Sequence, residues 1–199
     1  TGNYFATRLT ANFTRLHQSG TVTLDVTNRE TLLQKLEDNQ PDVVVMGKPP
    51  KGLVLDADDF MDNPLIMIAR PDHPLSKHRS IALKELTEET FVVREPGSGT
   101  RIAMERFFDQ KSFTPSATIE MTGNETIKQS VEAGLGLAIV SVHTVELELT
   151  LERLGRLDIR GMPIMRRWYV GHRRGKRLSP TAQAFRQFVL DEGTRQAVA

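Results

Sequence analysis

The chain reads as an α/β protein built of two similar lobes, and three features of its 199 residues carry that reading. Apolar residues at helical spacing alternate along the chain with short apolar or alternating runs of strand length. That alternation occurs twice, once before the proline-rich turn at residues 70–74 and once after it. Three of the short runs (Val43 to Met46, Leu65 to Ala69 and Leu137 to Val140) are apolar on both faces, as strands of a helix-covered parallel sheet are.

In order, Phe5, Leu9, Phe13 and Leu16 line one face of an amphipathic helix. Val22, Leu24 and Val26 alternate with polar residues and predict a strand. Thr27 and Glu30 have the spacing of a capping box, with Leu32, Leu33 and Leu36 on the helix behind it. Val43 to Met46 and Leu65 to Ala69 follow as strands, and short connections favour right-handed βαβ units. In the second half Phe91 to Val93 is a strand, Ala103, Met104, Phe107 and Phe108 mark a helix face, and Ala117, Ile119 and Met121 alternate as a strand. Ile127 and Val131 start a helix that Gly134 and Gly136 end, before the strand Leu137 to Val140. Trp168 and Val170 lie on a closing strand. Ser179 then caps a last helix with Pro180 at its first position and Ala182, Phe185, Phe188 and Val189 on its apolar face. The lobes are expected at residues 1–69 with 166–199, and 70–165.

A hydrophobic share of 39% and a charged share of 26% are those of a globular protein with a buried core. No apolar run approaches the ~20 residues that span a bilayer, and Thr1-Gly2-Asn3-Tyr4 lacks the basic-then-apolar pattern of a signal peptide. The absence of cysteine excludes a disulfide framework, thiol catalysis and thiolate metal sites, and is compatible with the cytoplasm. Net charge is +1, and the dense basic stretches, Arg166-Arg167 and Arg173-Arg174-Gly175-Lys176-Arg177, bracket a strand and its turn. They read as solvated strand ends, so DNA contact by this chain itself is not expected.

Ligands of open α/β sheets gather beyond the carboxyl ends of strands, where loops and helix N-termini converge. Arg94-Glu95-Pro96-Gly97-Ser98-Gly99-Thr100-Arg101 joins a strand to a helix in that manner. Its glycines allow close backbone approach, the helix start offers unpaired N–H groups, and Ser98 and Thr100 add hydroxyls, so an anion can be held there without a formal charge. Arg101 adds charge if it points inward. The plainer alternative is a glycine turn with Ser98 or Thr100 as an ordinary N-cap. The third glycine of a dinucleotide fingerprint and the lysine of a P-loop are both missing. Asn124 and Thr126 stand at a second strand-to-helix junction, where capping is the plainer role, and Thr1-Gly2-Asn3 precedes a third helix. Lys48 follows the Val43 to Met46 strand and suits an acidic ligand, although a loop lysine is usually just solvated.

Nothing catalytic stands out. His17, His73, His78, His143 and His172 lack metal spacing, and Ser141 lies outside any nucleophile elbow. Asp56, Asp58 and Asp59 read as a solvated loop cluster. No cofactor is expected, and no catalytic or metal-binding residue is assigned.

Several segments resemble, in order and over nearly the whole chain, the effector-binding domain of LysR-type transcriptional regulators. Residues 64–75 look like the family's first crossover between lobes, 132–141 like a helix-to-strand passage in the second lobe, and 174–185 like the closing strand and last helix. Residues 94–101 and 123–129 are similar to those of the subgroup that controls carbon-fixation (Calvin-cycle) operons. The resemblance implies two Rossmann-like lobes joined by two crossover strands, as in periplasmic binding proteins. It implies a small anionic metabolite, phosphorylated or carboxylated, held in the cleft between lobes near Thr1, Asn3, Lys48, Ser98, Gly99, Thr100, Arg101, Asn124 and Thr126. It also implies a non-enzymatic, cytoplasmic protein, a homodimer that becomes a tetramer at full length. DNA would be reached only through an N-terminal winged helix-turn-helix, and a further strand is expected ahead of Thr1. The alternatives are a periplasmic-type solute-binding protein and a small-molecule enzyme using the same cleft.

Overall fold

The computed structural model describes residues 2–17 and 21–198, with side chains for 4–17 and 21–193. In chain order it opens with helices α1 (Gly2–Leu16) and α2 (Arg29–Glu37), then strands β1 (Val44–Gly47), β2 (Leu55–Asp62) and β3 (Leu65–Ala69). Strand β4 (Thr90–Arg94), helix α3 (Gly99–Gln110), strand β5 (Ala117–Met121), helix α4 (Asn124–Glu132) and strand β6 (Ala138–Ser141) follow. Helix α5 (Glu146–Thr150), strands β7 (Gly155–Leu157) and β8 (Arg167–Arg173) and helix α6 (Pro180–Val198) complete the chain. The chain divides into two compact units, Thr1–Asn63 with Arg166–Ala199, and Pro64–Met165. It passes from one to the other twice. Residues 64–69, expected in the first lobe, belong to the second unit, because β3 pairs there with β6 and β7.

In the first unit β8 is the central strand, antiparallel to β1 on one side and to β2 on the other. Phe5 and Leu9 of α1 pack with Phe60, Met61, Val170 and Val189, so α1 and α6 share one apolar cluster with the sheet. Phe13 meets Phe185 edge-to-face at 5.2 Å. Leu36 of α2 packs with Val44, Met46 and Leu55 in a second cluster. Each such side chain, fully buried, contributes about 1.5–3 kcal/mol.

Three local expectations are corrected here. Val22, Leu24 and Val26 form no strand: residues 21–28 have no ladder among the described residues, and Leu24 and Val26 are exposed. An alternating pattern becomes a strand only when an edge pairs with it. Helix α2 starts after Asn28 rather than Thr27, and the Asn28 carboxamide oxygen accepts from the Thr31 N–H at 2.9 Å. Asp56, Asp58 and Asp59 lie on β2 rather than in a loop. Arg174 pairs with Asp56 at 2.8 Å, Arg167 with Asp59 at 2.8 Å, and Arg186 with Asp58. Two of the arginines read as solvated strand ends, Arg167 and Arg174, thus spend their charge on β2.

In the second unit β3 runs antiparallel to β6 and β7, and β4 parallel to β5. A parallel bridge between Phe91 and Leu137 joins the two ladders, with Leu137 N–H donating to the Thr90 carbonyl at 2.8 Å and Val92 N–H to the Leu137 carbonyl at 2.7 Å. Successive side chains point to opposite faces. Leu65, Met67, Phe91 and Val93 therefore pack with Phe107 and Phe108 of α3, while Ile66, Ile68 and Val92 pack with Ile127 and Val131 of α4. Helices on both faces explain why β3 is buried throughout. Its ladders are nonetheless antiparallel, as are those of β1, so two-sided burial and not strand direction produced their continuous apolar runs.

Helix α4 ends as its glycine predicts. Gly134 is left-handed at φ +85°, and the Leu135 N–H donates to the Ser130 carbonyl at 2.9 Å, the longer bond of a Schellman motif. At the start of α6 the Ser179 hydroxyl accepts from the Ala182 N–H at 3.2 Å, with Pro180 in the first turn.

Candidate ligand-binding site

Parallel pairing places the carboxyl ends of β4 and β5 side by side, with Arg94 opposite Met121 in the last register pair. The turn from β4 into α3 and the turn from β5 into α4 therefore leave the same end of the sheet. Residues 98–100 and 124–126, read from the sequence as two separate junctions, stand together at one sheet end.

Neither helix is capped by a side chain. Ser98 occupies the N-cap position of α3 and is only 3% exposed, yet its hydroxyl makes no capping bond to the helix. The N-cap of α4 is Gly123, at φ +82°, and a Cβ built there would meet nothing within 4 Å. The α4 start is thus open at a position where a side chain would otherwise stand. A helix presents four N–H groups without intrahelical partners at its N-terminus, together with the positive end of its dipole. Two such ends meet here, with Gly99 and Thr100 in the first turn of α3 and Thr126 exposed in the first turn of α4.

Arg94 and Glu95 tie the junctions together. Arg94 Nε and Nη2 each donate to a Glu95 carboxylate oxygen at 2.7 Å, and Nη1 donates to Asn124 Oδ1 at 2.6 Å. The Gly123 N–H donates to Glu95 Oε2 at 3.4 Å. Both charged side chains are largely buried. Burial works to raise the Glu95 pKa, but the bonds from Arg94, backbone donors and the Arg94 charge outweigh it and hold the carboxyl below its ordinary value. Arg101, the cation expected at the site, is otherwise engaged: it pairs with Glu105 at 2.8 Å and Glu120 at 2.5 Å and donates to the Arg94 carbonyl at 3.0 Å. These partners raise its pKa.

A depressed folded-state pKa stabilises the fold above the unfolded value, about 4.3 for Glu, and that stability is lost as pH falls through the lower folded value. Glu95→Gln is therefore expected to flatten the acid limb of a thermal-unfolding profile below about pH 4.3. Profiles of the two proteins that run parallel down to pH 2 would count against the pairing.

Lys48 lies in the first unit, exposed just beyond β1, and its carbonyl accepts from Arg29 at 2.8 Å. Beside it, a Cβ at Gly47 would come within 2.5 Å of the Arg166 guanidinium, so that arginine lies directly over the strand end. Thr1 lies outside the described residues, as does the side chain of Asn3. Sequence reasoning missed Arg94 and Glu95 as parts of the site. Their adjacency was visible, but the bond to Asn124, thirty residues on, was not. Among the described residues no group of histidine and carboxylate side chains could hold a metal ion.

Two helix starts without side-chain caps thus stand at neighbouring parallel strand ends of an α/β domain, and comparison with known proteins gives its family. Residues 1–194 match the LysR substrate binding domain family, and the chain belongs to it. It is 56% identical over 195 residues to a RuBisCO operon transcriptional regulator of Allochromatium vinosum, covering 98% of this chain and 65% of that protein. It is 44% identical to the regulator CfxR of Cupriavidus necator, covering 96% of this chain and 60% of that protein. The chain thus spans somewhat under two thirds of the length of these relatives. The regulatory domain of Synechocystis CcmR, solved in complex with 2-PG, superimposes with a TM-score of 0.91 at 36% identity, covering 96% of this chain and 92% of that one. The effector-binding domain of QuiR, solved with shikimate, has a TM-score of 0.81 at 18% identity, covers 98% of this chain and 92% of that one, and shows the shared fold. The two-lobed α/β class expected from the sequence is that of these neighbours, and the carbon-fixation subgroup is that of the relatives.

Proposed function

We propose that this domain senses a small phosphorylated or carboxylated metabolite, and that Ser98, Gly99, Thr100, Asn124 and Thr126 hold its acidic group. The observation that carries this reading is the pair of helix N-termini at one sheet end, neither capped by a side chain, with the largely buried Ser98 at the N-cap position of α3 making no capping bond. Backbone N–H groups and hydroxyls arranged in this way bind anions without a formal charge. Arg101, engaged with Glu105 and Glu120, forms a wall of the site unless it exchanges those partners. Lys48, Thr1 and Asn3 stay proposed contacts on the family resemblance alone. The 2-PG bound by the CcmR regulatory domain supplies the first ligand to try.

In the longer protein, ligand occupancy would favour one arrangement of the domain over another and so control transcription of carbon-fixation genes. DNA would be bound by a separate N-terminal domain. Family resemblance supports a cytoplasmic homodimer, a tetramer at full length, with α1 and α4 as contacts. The described residues contain no helix long and apolar enough to cross a membrane. The relatives' naming as transcriptional regulators weighs against a solute receptor or an enzyme.

A thermal-shift panel of 2-PG, phosphorylated sugars, 2-oxoglutarate and NADP(H) tests the reading. A ligand at a hundred times its Kd stabilises the fold by about 2.7 kcal/mol. Thr100→Ala and Thr126→Ala are each expected to weaken the hit about five-fold, the value of one hydrogen bond, without lowering the Tm of the unliganded domain. Undiminished affinity in both variants would place the ligand elsewhere.

A further inference from the structure

We infer that Arg94 is a positioning residue for this site: it fixes the Asn124 amide with its NH2 group turned to the ligand, so that the site admits acceptor oxygens and rejects groups that bring hydrogens of their own. The inference rests on the binding reading above. A guanidinium carries donors only, so the Asn124 atom lying 2.6 Å from Arg94 Nη1 is the amide oxygen. Flipping the amide would set N–H against N–H inside a half-buried cluster. The Asn124 NH2 group therefore has one stable orientation, away from Arg94, and it meets no acceptor among the described residues. Asn124 is the first residue of α4, so these two hydrogens stand with the uncapped N–H groups of the helix start.

Arg94 can do this because it is itself immobile. Its Nε and Nη2 are occupied by Glu95, and Glu95 also takes the Gly123 N–H, which closes a ring of bonds from one junction to the other. The planar fork spans both partners at once, a geometry a lysine ammonium does not reproduce. Glu95 also cancels the Arg94 charge. The pair thus presents the ligand with donor geometry and almost no net charge, and selection falls on where the ligand carries lone pairs.

The test is a double-mutant cycle on the whole domain, with 2-PG affinity read by calorimetry. Asn124→Ala is expected to lower affinity about ten-fold, a hydrogen bond to a charged group, and Arg94→Lys about five-fold as the amide loses its fixed orientation. The double variant is expected to bind no more weakly than Asn124→Ala alone, because Arg94 acts only through Asn124. Asn124→Asp separates positioning from folding: it keeps a partner for Arg94, so the Tm of the unliganded domain holds or rises, while its affinity falls at least as far as that of Asn124→Ala. Losses that multiply in the double variant, or an Asn124→Asp domain that binds as tightly as the unaltered one, overturn the inference while leaving the binding reading standing. Failure of the unaltered domain to bind 2-PG or any acid of the panel overturns the reading, and this inference with it.

Discussion

Gly136→Ala is expected to cost about 4 kcal/mol, a large share of the roughly 5–15 kcal/mol that typically holds a protein folded, and to leave the protein poorly soluble. Gly136 lies at φ +154°, and a Cβ there would sit 2.2 Å from the Thr90 carbonyl oxygen and 2.9 Å from its carbon. That oxygen is the acceptor for Leu137 N–H, in the bridge that joins β4 to the β6 side of the sheet. Backbone cannot rotate aside as a side chain can, so relief comes only by breaking the bridge. A conformation reserved for glycine costs about 1–3 kcal/mol, and forced overpacking adds about 1–3 kcal/mol. Gly52→Ala is the control. Its φ is +91°, but nothing lies within 4 Å of the added carbon, so only conformational strain, about 1 kcal/mol, is expected. Far-UV circular dichroism during urea unfolding reads both. Equal losses at the two positions would show that the Thr90 contact does not matter.

The sequence revealed the parts whose signal is local and hid those that depend on distant partners. The α3 and α6 faces, the Ser179 cap and the Gly134 stop are written within a few neighbouring residues, and each is where its pattern put it, whereas on α1 Phe5, Leu9 and Phe13 are buried but Leu16, at the helix end, is exposed. Strand β2 was hidden because aspartate is depleted in strands, and it holds four of them in eight residues. What makes it a strand is β8, more than a hundred residues later, whose Arg167 and the following Arg174 meet those carboxylates, with Arg186 of α6. Leu24 and Val26 failed in the opposite direction, having the pattern without the partner. At the site, the glycines and hydroxyls of residues 97–100 announced a ligand loop, but two facts needed the fold. Ser98 caps nothing, and Asn124 answers to Arg94 rather than to its own helix.

Lys128→Met is expected to destabilise the domain by about 3 kcal/mol, because the charge it removes is the partner of a second buried charge. Lys128 is 4% exposed on the inner side of α4, and its ammonium lies 2.6 Å from Glu148 and 2.8 Å from Glu125. Glu125 stands in solvent, whereas Glu148 is largely buried and would be stranded by the substitution. Adding Glu148→Gln should therefore recover most of the loss, since a pair removed together leaves no orphan charge. Burial lowers the Lys128 pKa, but the two carboxylates outweigh it and raise the net value. A raised folded-state pKa contributes stability fully below the unfolded value, about 10.4, and loses it as pH climbs through the folded one. The stability difference between unaltered protein and Lys128→Met should thus be constant from neutral pH to about 10 and shrink above that. Lys128 sits one helical turn beyond Asn124, and its pairing with Glu148 links α4 to α5. A Lys128→Met domain that loses anion affinity while its α4 amides stay protected from hydrogen exchange would show that the pair positions the helix as well as stabilising it. Unchanged stability would mean that Ile127 and Val131, on the apolar face of α4, already suffice to anchor it.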